Sequence, residues 1–265
     1  MKHLSLVLFL PYALFFFGCN EATAPSSADS GYDPYSNNQS PKLTPLSTSS
    51  DQSVLFIGNS VIYTVDLDVK FQSFANSSGE SLYVQSVTIP GGTLYDHVSN
   101  EETSVAIASR TWSYVILQEN TSGCYDDIEK ATFISSLQTL RERILKSSPN
   151  ASMYLFKRWI LEGGYGDYPH SKYVEMTSSC YSEASTASSM PLIPVADVWY
   201  DFSNKYPSID LYSPDRGHAS DFGALLTNGV IFKTLFGDAS NDSYIKSDLD
   251  SSSALKIKAT IDEIP

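Results

Sequence analysis

Short apolar runs alternate with longer amphipathic segments between residues 51 and 265, and this alternation restricts the possible folds more than any other feature of the chain. The runs are 53–57 (SVLFI), 82–87 (LYVQSV), 114–117 (YVIL), 152–156 (SMYLF) and 192–195 (LIPV). Each is short, rich in β-branched or aromatic residues, and bounded by Gly, Pro or polar residues, as strands covered on both faces are. Helical periodicity fits 65–75, 94–109, 127–147, 171–187 and 221–236; in the third, Ile128, Phe133, Ile134, Leu137, Leu140, Ile144 and Leu145 mark one face. Strands alternating with helices imply right-handed βαβ units and a parallel sheet of about five strands inside a three-layer α/β/α sandwich, of flavodoxin-like type. Sites in such sheets form at the carboxyl ends of strands, so the loops after residues 57, 88, 117, 156 and 195 are the ones to inspect.

Composition narrows the function classes. Apolar residues make up 42% of the 265-residue chain, enough for a core. A net charge of −13 argues against nucleic acid, whose phosphates need clustered Lys and Arg. Three cysteines are too few for a disulfide scaffold and lack zinc-ribbon spacing. His-Glu-x-x-His and Gly-x-Gly-x-x-Gly are absent, so neither a metal nor a dinucleotide cofactor is expected.

The first 18 residues read as a removed signal. Lys2 and His3 precede a 14-residue apolar stretch, residues 4–17, too short to span a bilayer. The Phe-Gly-Cys that follows resembles a bacterial lipobox, which implies cleavage before Cys19 and its lipidation. Residues 19–50, rich in Ser, Thr, Asn and Pro, read as a flexible tether. The expected organisation is therefore a signal (1–18), a lipid-linked tether (19–50) and one domain (51–265), on a membrane-anchored lipoprotein of the bacterial envelope, periplasmic or outer-surface.

Two loops carry candidate chemistry. Ser60 follows the first strand and stands near a helix N-terminus, where free N–H groups favour developing negative charge. It is either a nucleophile or a helix N-cap. Beyond the signal the histidines are His97, His170 and His218. Asp215 precedes His218 by three residues, so one turn can let its carboxylate hold the imidazole Nδ1–H and leave Nε2 as a base. His97 follows the second block at helical range, either near the site or as a surface or cap residue.

Taken in order, Gly58-Asn59-Ser60, Pro90-Gly91-Gly92-Thr93, Leu117-Gln118-Glu119-Asn120 and Asp215-Arg216-Gly217-His218 resemble the four blocks of the SGNH (GDSL-type) esterases and lipases, over residues 53–237. The resemblance implies Ser60 as nucleophile, His218 as general base and then acid, and Asp215 as the orienting carboxylate. It also implies an oxyanion hole from the Ser60 N–H, the Gly91 N–H and a side-chain amide, either Gln118 or Asn120. Two departures stand out: Asn59 replaces the Asp of Gly-Asp-Ser, and the third block is not Gly-x-Asn-Asp. The implied reaction is ester hydrolysis through an acyl-enzyme, with O-acetyl groups on carbohydrate as the leading substrate class. A weak or inactive carbohydrate-binding protein of the same fold is the alternative.

The loop from Lys157 through Trp159 to Tyr168 is Gly-rich without the Gly-Lys-Ser/Thr ending of a phosphate loop. It reads as a flap whose Trp159, Tyr165 and Tyr168 either contact substrate or pack among themselves. Cys124 follows the third strand and Cys180 the fourth; adjacent strands and an oxidising envelope make a disulfide the expectation, against two separate thiols.

Overall fold

The structure, a computed structural model, describes residues 52–245 and 249–264. The signal, the tether and Cys19 lie outside the described residues. The chain begins with β1 (Gln52–Gly58), α1 (Ser60–Tyr63), α2 (Leu67–Ser77), β2 (Leu82–Thr88), α3 (Leu94–Ser99) and α4 (Glu101–Ala108). It continues with β3 (Tyr114–Gln118), a 3-10 turn (Thr121–Cys124), α5 (Asp127–Ser147), β4 (Ser152–Phe156) and α6 (His170–Ser188). The last elements are β5 (Leu192–Ile193), α7 (Val195–Lys205), α8 (Asp221–Phe236), α9 (Asn241–Ile245) and α10 (Ser251–Asp262).

All strand pairs are parallel and the order is β2-β1-β3-β4-β5. Alternate β1 side chains enter two separate cores. Val54 and Phe56 pack with α2, α7, α8 and α10; Leu55 and Ile57 pack with α3, α4, α5 and α6. The expected three-layer α/β/α sandwich is therefore present, with β1 buried between β2 and β3.

Local chemistry moved several boundaries. The helix expected over 94–109 is two helices, because Asn100 is extended (φ −75°, ψ 130°) and its side chain accepts from Thr103 N to start α4. The strand expected over 192–195 is two residues long, since Pro194 has no N–H for a ladder and α7 begins at Val195. Ile128, expected on the buried face of α5, lies in its first turn and is 77% exposed. Helices α7, α9 and α10 were not expected. No helix among the described residues is long and apolar enough to cross a membrane.

Candidate active site

The carboxyl end of β1 is built around three residues. A Cβ at Gly58 would stand 2.5 Å from Gln118 Oε1 and 2.8 Å from Ile62 Cδ1, so the turn off the strand has room only for glycine. Asn59, buried, is the N-cap of α1: its Oδ1 accepts from Val61 N (3.2 Å) and its Nδ2 donates to Gly92 O (2.8 Å). The second bond explains the departure from Gly-Asp-Ser, because an ionised Asp has no proton to offer the Gly92 carbonyl. With Asn59 as the cap, Ser60 is not one. It occupies the first position of α1, and its hydroxyl is directed elsewhere.

That hydroxyl lies 2.8 Å from His218 Nε2, and His218 Nδ1 lies 2.5 Å from Asp215 Oδ2. Asp215 Oδ1 accepts from Ser213 Oγ (2.6 Å), Gly217 N (2.9 Å) and His218 N (2.9 Å). Burial works to raise the Asp215 pKa, but those donors and the His218 ring hold it far below the usual carboxylate range. An ionised Asp215 is acceptor-only, so Nδ1 carries the imidazole proton and Nε2 accepts from Ser60. The turn is held from both ends. Ser213 N donates to His218 O and Arg216 N to Ser213 O. Arg216 sits in the left-handed region (φ 58°), an uncommon conformation for a side chain with a Cβ. Its guanidinium reaches Glu162 with two nitrogens (2.7 and 2.5 Å) and Asp210 with the third (2.5 Å), pinning the turn to the loop after β4.

The two amides of the third block are placed differently. Gln118 is fully buried: Oε1 accepts from Asn59 N (3.0 Å) and Nε2 donates to Glu119 O, so it braces the serine loop from below. Asn120 is partly exposed and its Nδ2 donates to Gly91 O (2.5 Å). Gly91 has φ +63°, and neither its N–H nor that of Ser60 finds an acceptor among the described residues. Ser60 N–H and Gly91 N–H thus keep free donors beside the serine hydroxyl, whereas Asn120 Nδ2 is shared between Gly91 O (2.5 Å) and Gly92 O (3.4 Å).

Two buried groups support this edge. Glu119 accepts from Leu94 N at Oε2 (3.1 Å) and from Asn120 N at Oε1 (2.6 Å), joining the second and third blocks. Burial pushes its pKa up to about 8, against the pull of those two N–H groups. Beside Asn120 in the sequence it reads as a surface acid; only Gly123, where a Cβ would meet Glu119 Cγ at 2.5 Å, hints at a side chain folded underneath. His97 is neither a surface residue nor a member of the Ser60–His218–Asp215 chain. It is fully buried, with Nε2 2.8 Å from Gly58 O and Nδ1 2.7 Å from Thr103 Oγ1, and burial lowers its pKa.

The flap residues separate too. Trp159 is core: it stacks on Trp199 (4.2 Å, 5°) and donates from Nε1 to Gly217 O (2.9 Å). Tyr165 and Tyr168 bond each other through their backbones (3.0 Å) and pack edge-on against Tyr125 (5.8 and 5.5 Å). Cys124 and Cys180 form a disulfide, with Cα atoms 5.8 Å apart, that ties the 3-10 turn to α6. Among the described residues no group of three or more His, Cys, Asp or Glu is placed to hold a metal.

No family model matches the chain, and no curated protein matches it in sequence. Solved structures do match in fold. A DUF4886 family protein from Bacteroides uniformis superposes with a TM-score of 0.67 at 15% identity, over 80% of this chain and 93% of that one. A protein from Slackia heliotrinireducens described as a putative SGNH hydrolase gives 0.58 at 18% identity, over 71% and 100%. The acetyl xylan esterase AlAXEase gives 0.58 at 15% identity, over 69% and 100%. The parallel five-stranded sheet and these superpositions together give the chain the fold of the SGNH hydrolases.

Proposed function

We propose that the protein is a serine esterase that works through an acyl-enzyme. The observation that carries this reading is the chain of contacts Ser60 Oγ–His218 Nε2 (2.8 Å) and His218 Nδ1–Asp215 Oδ2 (2.5 Å) at the carboxyl edge of a parallel sheet. A nucleophile, a base and an orienting carboxylate within hydrogen-bond reach are what acyl transfer requires. His218 takes the Ser60 proton as Oγ attacks the ester carbonyl. The oxyanion accepts from Ser60 N–H, Gly91 N–H and the Asn120 amide. The alcohol leaves with the proton held on Nε2. A water, deprotonated by His218, then releases the acyl group and restores Ser60. Fold likeness to an acetyl xylan esterase makes O-acetyl groups on carbohydrate the first substrates to try. The lipobox-like ending at Cys19 supports action at the bacterial envelope from a lipid anchor.

The test is hydrolysis of p-nitrophenyl acetate by the full chain and by Ser60→Ala. Ser60→Ala is expected to lower kcat by about 10⁴-fold or more. Equal rates in the two proteins would exclude the esterase and leave a binding protein of the same fold.

A further inference from the structure

Arg158, two residues beyond β4, is a buried cation with no counterion among the described residues; its guanidinium carbon lies 5.6 Å from the centre of the Trp159 ring. It is 7% exposed, and it makes two hydrogen bonds: Nε to Trp159 O (3.1 Å) and Nη2 to Gly217 O (3.5 Å, at the limit of such a bond). A guanidinium has five N–H donors, so most of this one is unengaged. The buried side-chain atoms without partners among the described residues are Asp68 Oδ1, Arg141 Nε and Tyr181 Oη. Arg158 Nη1 makes no hydrogen bond and is not among them, so it reaches solvent.

Each nearby acid is engaged elsewhere. Asp197 pairs with Lys157, Glu162 and Asp210 with Arg216, and Asp215 with His218; Glu119 accepts two backbone N–H groups. The electrostatic neighbours of Arg158 are the phenols of Tyr181, Tyr173, Tyr212 and Tyr165. A charge buried without a partner costs several kcal/mol in general, and a planar fork of donors matches a carboxylate in two parallel bonds. Its one distant contact, Gly217 O, is on the residue that precedes His218, which places Nη2 at the Asp215–His218 turn.

We propose that Arg158 is a specificity residue that binds a carboxylate on the substrate, beside the ester presented to Ser60, so that the preferred substrates are esters of acidic sugars such as acetylated uronic acids. The assignment rests on the esterase reading above. In such a complex the carboxylate supplies the missing counterion and engages Nη1 together with the free Nη2 proton.

The test compares O-acetylated methyl glucuronoside with O-acetylated methyl glucoside, which differ in the carboxylate alone. The full chain is expected to favour the glucuronoside in kcat/KM. In Arg158→Met that preference falls by about ten- to a hundredfold, the range of a charge-assisted bond. Arg158→Lys retains part of it through the charge. An unchanged ratio in Arg158→Met overturns the proposal. A large drop in Tm for Arg158→Met with the ratio unchanged marks a structural charge and overturns it in the same way. Calorimetric titration of Ser60→Ala and of the Ser60→Ala, Arg158→Met double variant with methyl glucuronoside separates the two readings. Arg158-dependent binding with no turnover of any ester removes the esterase and keeps the anion site. Turnover without Arg158 dependence removes the anion site alone.

Discussion

The loops after β3 and β4 stand side by side at the edge of the sheet, and each buries an ionisable side chain, but they treat it in opposite ways. After β3, Glu119 has both oxygens occupied, by Leu94 N and Asn120 N. After β4, Arg158 keeps most of its donors free and has no carboxylate within ion-pair distance among the described residues. A buried polar group that is fully engaged is part of the framework; one left with open donors needs another explanation, which the ligand proposed above supplies. Glu119 holds the second and third blocks in register, so that Asn120 meets Gly91.

The sharpest way to break this contrast is to remove each group. Glu119→Ala strips the acceptor from two N–H groups, at about 1–3 kcal/mol for each buried donor, so a loss of about 2–5 kcal/mol is expected in urea unfolding. Arg158→Met removes a charge that has no partner, and replacing buried ions by apolar residues is often neutral or stabilising. Its unfolding midpoint is expected to hold or rise. A loss in Arg158→Met as large as that in Glu119→Ala would erase the distinction.

Within the β3 loop the same contrast separates two amides. Asn120→Ala is expected to lower kcat on p-nitrophenyl acetate by about 100- to 1000-fold, as removal of an oxyanion donor does. Gln118→Ala is expected to show itself mainly in stability, by about 1–3 kcal/mol, since it leaves buried Asn59 N without its acceptor. Large losses of kcat with stability kept in Gln118→Ala, and none in Asn120→Ala, would exchange the two roles.

Those two amides show where sequence reasoning stops. The strands were legible because buried parallel strands need continuous apolar runs, and β1 is buried from Ser53 to Gly58. Ser60, His218 and Asp215 were legible because each follows a recognisable chain turn. Gln118 and Asn120 differ by two residues, which in a strand places both on one face. The strand ends at Gln118, so the rule fails just where it is needed. Glu119 and Arg158 were missed for a related reason: a charged residue in a loop ordinarily points to water, and only tertiary packing turned these two inward. The break at Asn100 escaped notice because apolar spacing continues across it while the backbone bends.

Glu119 also leaves a mark on the pH dependence of stability. Its pKa stands at about 8 in the folded chain, against an ordinary 4.5. The folded protein therefore keeps a proton that the unfolded chain has released between those values, and stability from this group is present below pH about 4.5 and lost as pH rises toward 8. At most, one such proton changes stability by about 1.4 kcal/mol per pH unit. The charges of Asp96 and Glu129 act in the same direction, favouring its protonated form. His97 works the opposite way, because its lowered pKa makes the folded state release a proton at lower pH than the unfolded chain does, but it is common to both proteins in the comparison. Glu119→Gln keeps the shape and removes the titration. Urea midpoints from pH 5 to 8 should fall more steeply in the parent than in Glu119→Gln. Parallel curves would mean that Glu119 ionises as an ordinary surface acid does, and the β3 loop would then hold a charge as open to ligand as the one after β4.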